Sequence, residues 1–158
     1  RCWNWCIPGS TNGKPDPVME APYRVPVSTQ VIRAVMRGLF RALFHLFSPI
    51  HIQGREHVPA QGAYVVAINH VSTFDPPFAI AFWPRALEAL GAAEIWSRPG
   101  QAPLARLYGG IPVHRGAYDR QMVETALAAL KAGYPIIIAP ERGRTHVPGM
   151  RQALPGIA

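Results

Sequence analysis

The stretch AYVVAINHVSTFDPPFAIAFW, residues 63–83, decides the fold. Residues 63–69 are a short apolar run with β-branched members, which predicts a buried strand. Pro76 and Pro77 then open FAIAFW as a helix entered through proline, with Asp75 expected as its N-cap. Between strand and helix lies a polar turn, His70 to Asp75. The pattern recurs downstream. A second short strand is expected near 94–96 and a third at 111–114. Asp119 caps a helix running through Lys131, with Val123, Ala126, Leu127 and Leu130 on one face and Gly133 as its stop. PIIIA at 135–139 is a further apolar run without alternation, expected to be buried on both faces. Strands alternating with helices predict an α/β fold with a mixed, largely parallel sheet flanked by helices.

Upstream, residues 28–48 have helical spacing. Ser28 can cap the helix, and apolar residues fall at Val31, Ile32, Val35, Met36, Leu39, Phe40, Leu43, Phe44 and Phe47. Arg33, Arg37 and Arg41 recur every four residues and form one stripe, expected on the side opposite the apolar face. Three arginines argue against a bilayer crossing, since each costs roughly 2.5–3.5 kcal/mol at a helix centre. Lying in the interface is cheaper and gains about 1 kcal/mol per basic residue near an anionic surface. The expected membrane contacts are Arg33, Arg37, Phe40, Arg41, Phe44 and Phe47. Residues 1–27 are rich in Pro and Gly and read as an irregular leader.

The 158 residues fit one domain beyond that leader, 49–158, and 49% hydrophobic content supplies a core. The formal charge is +7 and the pI about 10.1. Nearly all of the excess is arginine, Lys14 and Lys131 being the lysines. That suits an anionic partner. Nucleic acid is not expected, because aromatics do not interleave with the basic residues. Cys2 and Cys6 have neither redox nor zinc spacing, so thiol and metal chemistry are not expected. The chain starts at Arg1 and stops at Ala158 inside an apolar segment, and is expected to continue beyond it.

Three polar clusters follow strands, and the carboxyl edge of an open α/β sheet is where ligands bind. In NHVSTFD, 69–75, Asp75 can hold one imidazole nitrogen of His70 and leave the other to take a proton. In GGIPVHRG, 109–116, Arg115 can meet a phosphate. In APERGRTHVPG, 139–149, Glu141 can accept from hydroxyls, Arg144 can bind phosphate, and Gly143 frees the backbone for close approach.

Together these clusters resemble, in order and spacing, the motif blocks of the glycerolipid acyltransferases, whose central member is 1-acylglycerol-3-phosphate acyltransferase. NHVSTFD is similar to the His-four-residues-Asp block, GGIPVHRG to the block whose Arg contacts the acceptor phosphate, and PERGRT to the block written Pro-Glu-Gly-Thr-Arg-Ser. GREHVPAQG at 54–62 and LPGIA at 154–158 resemble connecting segments. The departures are Arg142 and Gly143 in place of Gly and Thr, and His114 where an acidic or other polar residue is common. A fourth, proline-containing apolar block is expected beyond Ala158.

The resemblance implies a glycerol-3-phosphate acyltransferase-like fold and single-step acyl transfer. His70 and Asp75 would be catalytic, and Arg115, Glu141, Gly143 and Arg144 would bind the acceptor. The acyl donor would be acyl-CoA or acyl-carrier protein, with no further cofactor. The partners would be a lysophospholipid and an anionic membrane surface, on its cytoplasmic face. The competing reading is an inactive or differently specific relative that serves as a basic peripheral membrane-binding module.

Overall fold

The computed structural model describes residues 22–116 and 118–140. Glu141, Gly143, Arg144, the cysteine pair and the first 21 residues of the leader lie outside them. In chain order the elements are α1 (Val27–Phe47), β1 (Val65–Ala67), α2 (Asp75–Phe82), β2 (Glu88–Ala92), α3 (Gln101–Tyr108), β3 (Ile111–Val113), α4 (Arg120–Lys131) and β4 (Ile136–Ile138). The strands form a sheet in the order β1-β4-β2-β3. Each described pairing is parallel, with Val65 beside Ile136, Glu88 beside Ile136, and Leu90 beside Ile111. The fold class is α/β. Parallel pairing sends every strand's carboxyl end to one edge.

The isoleucine run explains the order. β4 lies inside the sheet, and Ile136 and Ile137 are 2% and 3% exposed. A strand lined on both faces needs cover on both faces. Val66, Leu87 and Ile137 form one core cluster, and Met36, Ile80 and Tyr108 form another where α1, α2 and α3 meet. α4 packs on β3 and β4.

Several boundaries differ from expectation. The second strand is Glu88–Ala92, and the residues expected to form it lie in a 3-10 turn, Ala93–Ser97. β2 carries a glutamate and a glycine, so it lacks the apolar signature of a buried strand. α3 carries Pro103, which reads as a breaker but sits in the first turn, where its missing N–H costs nothing. α3 ends at Gly109 with φ 72°. A Cβ there would lie 3.3 Å from Thr29 Cγ2, so the left-handed turn and the close approach of α1 both require glycine. α1 starts one residue ahead of Ser28. Pro26 occupies the cap position, and its carbonyl accepts from Gln30 N–H at 3.0 Å.

The largest correction concerns α1's arginines. They face the domain, not outward. Arg33 is 4% exposed and Glu88 fully buried; their side chains pair at 2.5 and 2.8 Å. Arg33 Nε also donates to Tyr108 O at 2.8 Å, and Tyr23 Oη donates to Glu88 at 3.0 Å. Burial opposes the Arg33 charge, but the hydrogen bonds and charge of Glu88 outweigh it and hold the guanidinium above its usual pKa. Burial and then the Glu88 charge raise the Tyr23 phenol.

Farther along α1, Arg37 donates to Trp83 O, Arg41 Nε to Ala81 O at 2.6 Å, and Arg55 to Phe82 O at 3.4 Å. Those carbonyls close α2, where the last turn has no intrahelical donors. Phe40 and Phe44 also turn inward. Phe40 joins the Met36 cluster, and the Phe44 ring stands 5.2 Å from that of Phe78. Of the expected contact residues only Phe47 stands free, 78% exposed. The outer stripe is apolar instead: Val27, Val31, Val35, Leu39, Leu43 and Leu46 are all exposed.

The buried ion pair generates a prediction. Glu88→Ala should destabilise the domain by about 3–5 kcal/mol, because it strands a buried guanidinium. The double change Arg33→Met with Glu88→Leu should recover most of the loss. Equilibrium urea unfolding measures both, and a double variant as unstable as the single one would show that the pair is not the cause.

Candidate active site

The turn between β1 and α2 is built around one carboxylate. Asp75 was expected to cap its own helix, but the cap position is Phe74 and Asp75 is the first helical residue; Pro76 and Pro77 have no N–H, and the N–H of Phe78 donates to Phe74 O at 2.9 Å. The Asp75 side chain turns back instead. Oδ2 accepts from Val71 N–H and Ser72 N–H, both at 2.7 Å, and lies 3.1 Å from His70 Nδ1. A carboxylate accepts only, so Nδ1 carries the proton of that contact, and in the neutral ring Nε2 is the nitrogen with the free lone pair. The side chains of His70 and Asp75 are 21% and 23% exposed, sheltered but reachable. Val71 and Phe74 on the same turn are exposed and give it an apolar lip.

The arrangement is that of a positioned general base. Asp75 fixes the ring's tautomer and orientation and can stabilise the imidazolium formed when Nε2 takes a proton. Pro76 and Pro77 offer this carboxylate no donor and the Phe78 N–H is taken by Phe74 O, so no first-turn N–H competes for it.

A second turn of the same kind occurs at the end of β3. His114 and Asp119 repeat the five-residue spacing, and His114 Nδ1 lies 2.9 Å from Asp119 Oδ2. That oxygen also accepts from His114 N–H at 3.0 Å, and Oδ1 accepts from Met122 N–H at 3.0 Å, capping α4. The two backbone hydrogen bonds, then the ring contact, bring the Asp119 carboxyl down to about 2. The spacing was open to inspection in HRGAYD. β3 delivers it to the same sheet edge as NHVSTFD, as expected of a strand-end cluster in a parallel sheet.

Arg115 lies inside this second turn, exposed and with no hydrogen bond or ion pair among the described residues. It follows β3, whereas His70 follows β1. Two strands separate these, so their axes stand about 14 Å apart on one edge. β4, which leads to Glu141, Gly143 and Arg144, is the direct neighbour of β1. Those three residues lie outside the described ones. Sequence order therefore predicts the shared edge, and strand order shows that the third block starts beside the first.

The acyltransferase family model matches residues 49–158. No curated protein matches the chain. Among solved structures the chain is similar to the 1-acyl-sn-glycerophosphate (LPA) acyltransferase PlsC from Thermotoga maritima. The match has a TM-score of 0.58 and 24% identity, and covers 74% of this chain and 47% of that one. The chain thus spans less than half the length of that protein, and the likeness is one of fold.

Asp119 offers a check on the second turn. Its folded pKa is depressed from 3.8 to about 2, so the stabilisation it contributes is fully present above 3.8 and falls away as pH drops toward 2. We predict that Asp119→Ala lowers the thermal midpoint at neutral pH, and that the gap from wild type narrows through that acid window. A gap of constant size down to the acid limit would show that the charged carboxylate is not what holds the turn.

Proposed function

The chain belongs to the acyltransferase family, and on that footing we propose that it moves a fatty acyl group from a thioester to the free hydroxyl of a lysophospholipid, 1-acylglycerol-3-phosphate being the acceptor that fits best. The observation carrying this reading is His70 held through Nδ1 by Asp75 beside exposed apolar residues. Nε2 removes the hydroxyl proton as the acceptor oxygen attacks the thioester carbonyl. The C–S bond breaks, the thiol of coenzyme A or acyl-carrier protein departs with a proton, and the product is phosphatidic acid. A positioned base of this kind contributes about 10²–10⁴-fold.

The acceptor's phosphate is assigned to Arg115, with Glu141, Gly143 and Arg144 completing the site from the segment after β4. Only a few bonds separate phosphate and hydroxyl in this acceptor. The Arg115 side chain must therefore fold inward over β2 and β4 to reach a phosphate whose hydroxyl lies at His70. It has no partner among the described residues to hold it back.

The membrane reading changes its physical basis. No helix of the described residues is long and apolar enough to cross a bilayer. The outward stripe of α1, from Val27 to Phe47, suits insertion of an apolar face at the interface of a cytoplasmic membrane surface. Attraction by Arg33, Arg37 and Arg41 is not needed for it.

Two variants test the proposal. His70→Ala should remove acyl transfer to lysophosphatidate while leaving the unfolding transition intact, since His70 sits in a partly exposed turn. Arg115→Ala should raise the acceptor KM and leave the donor KM near wild type, because the lost contact is to acceptor alone. Labelled acyl-CoA or acyl-carrier protein with a panel of lysolipids supplies the assay. Near-normal turnover by folded His70→Ala would overturn the mechanism.

A further inference from the structure

The carboxyl end of α2 gathers three guanidinium groups. Arg37, Arg41 and Arg55 meet the carbonyls of Trp83, Ala81 and Phe82. Among the described residues no carboxylate pairs with any of the three; Glu56, beside Arg55 in sequence, contacts His57 instead. The helix end supplies only about half a negative charge against three positive ones. The strain shows in Arg37. Burial first, then the charge of Arg41 and also that of Arg55, pull its guanidinium below the usual pKa. Among the described residues its Nε is buried with no hydrogen-bond partner. Charge of this density without a counterion calls for an anion.

A cleft of about 360 Å³ opens at this cluster, lined by Arg41, His45, Ile50, Ile52, Arg55 and Phe82. It joins two guanidinium groups to apolar walls. Ile52 is 41% exposed, and Leu46 and Phe47 directly after His45 are both 78% exposed. Apolar residues beside a cationic cleft match the chemistry of a lipid whose phosphate and acyl chains are held together.

The acceptor itself does not account for this cleft. His70 and Asp75 lie at the opposite end of α2, and eight helical residues set those ends about 12 Å apart. Arg41 and Arg55 are tied to the Ala81 and Phe82 carbonyls at that far end, so a phosphate gripped there stays away from the hydroxyl at His70, whereas the exposed Arg115 side chain can swing toward it.

We propose that the Arg41–Arg55 cleft binds the phosphate of an anionic phospholipid in the bilayer, as a site separate from the acyl acceptor's. Arg55 and Arg41 grip the phosphate, and Ile50, Ile52 and Phe82 lie along the start of the chains. The site would anchor the carboxyl end of α1 to a lipid headgroup while the apolar stripe lies in the interface. It does not depend on the proposed chemistry, because binding is read without turnover.

The test uses the whole chain and vesicles of phosphatidylcholine, with or without phosphatidylglycerol, compared by flotation. Arg55 and His45 are exposed, so Arg55→Gln and the double change Arg55→Gln with His45→Gln should fold, which thermal unfolding checks. Wild type should favour the phosphatidylglycerol vesicles, and losing Arg55 should cut that binding about fivefold. Arg98→Gln, an exposed arginine outside the cleft, should leave it unchanged. Equal binding by the Arg55 variants, or an equal loss from Arg98→Gln, would overturn the site. In a parallel arm, inorganic phosphate at fixed ionic strength is scored by thermal midpoint. If phosphate stabilises wild type but not the double variant, while vesicles bind both alike, the cleft holds a free anion and the lipid assignment falls.

Discussion

The ion pair of Arg33 and Glu88 is the contact on which the arrangement of helix and sheet depends. A carboxylate inside a sheet is expensive unless a cation reaches it, and the cation comes from a helix 55 residues earlier in the chain. Satisfying Glu88 fixes the rotation of α1, because an α-helix presents only one stripe at a time. Once Arg33 points inward, residues four and eight positions on must follow. Arg37 and Arg41 thereby arrive at the end of α2, and the alternate stripe of Val and Leu is left facing out.

α2 then serves as a short ruler with different chemistry at its two ends. At its entry two prolines lack N–H groups and the next N–H is taken by Phe74 O, and the Asp75 carboxylate organises the histidine turn behind it. Its exit lacks donors for the final carbonyls, and arginines from two segments supply them. Both ends follow from the same rule, that the terminal turns of a helix hold unpaired backbone groups. At one end prolines simplify that problem, and at the other it attracts positive charge.

Much of the sheet was legible because parallel strands inside a fold are written as unbroken apolar runs. PIIIA and AYVVAIN have that form and their strands are neighbours, but among the described residues β1 is an edge strand with Val65 52% exposed, not the buried strand its run suggested. EALGA lacks that form, because its first residue is a glutamate whose burial depends on Arg33, a partner no local window contains. The His70–Asp75 contact was legible from spacing and from the strand before it. The direction of the arginine stripe was not. Periodicity shows that Arg33, Arg37 and Arg41 share a face, but not whether water or backbone carbonyls will satisfy them. Glu88 and the end of α2 settle that, and both are distant in sequence.

The two histidine turns share one hydrogen-bond pattern but differ in access. The side chain of His70 is 21% exposed and that of His114 is 70% exposed. A reagent that acylates imidazole will therefore reach His114 sooner, although both rings lean on a carboxylate through the same nitrogen. In such an experiment the first histidine to react and the first to abolish turnover need not be the same residue. Total label incorporated would then overstate modification of the His70 turn, and only site-resolved mapping of the adducts would separate the two.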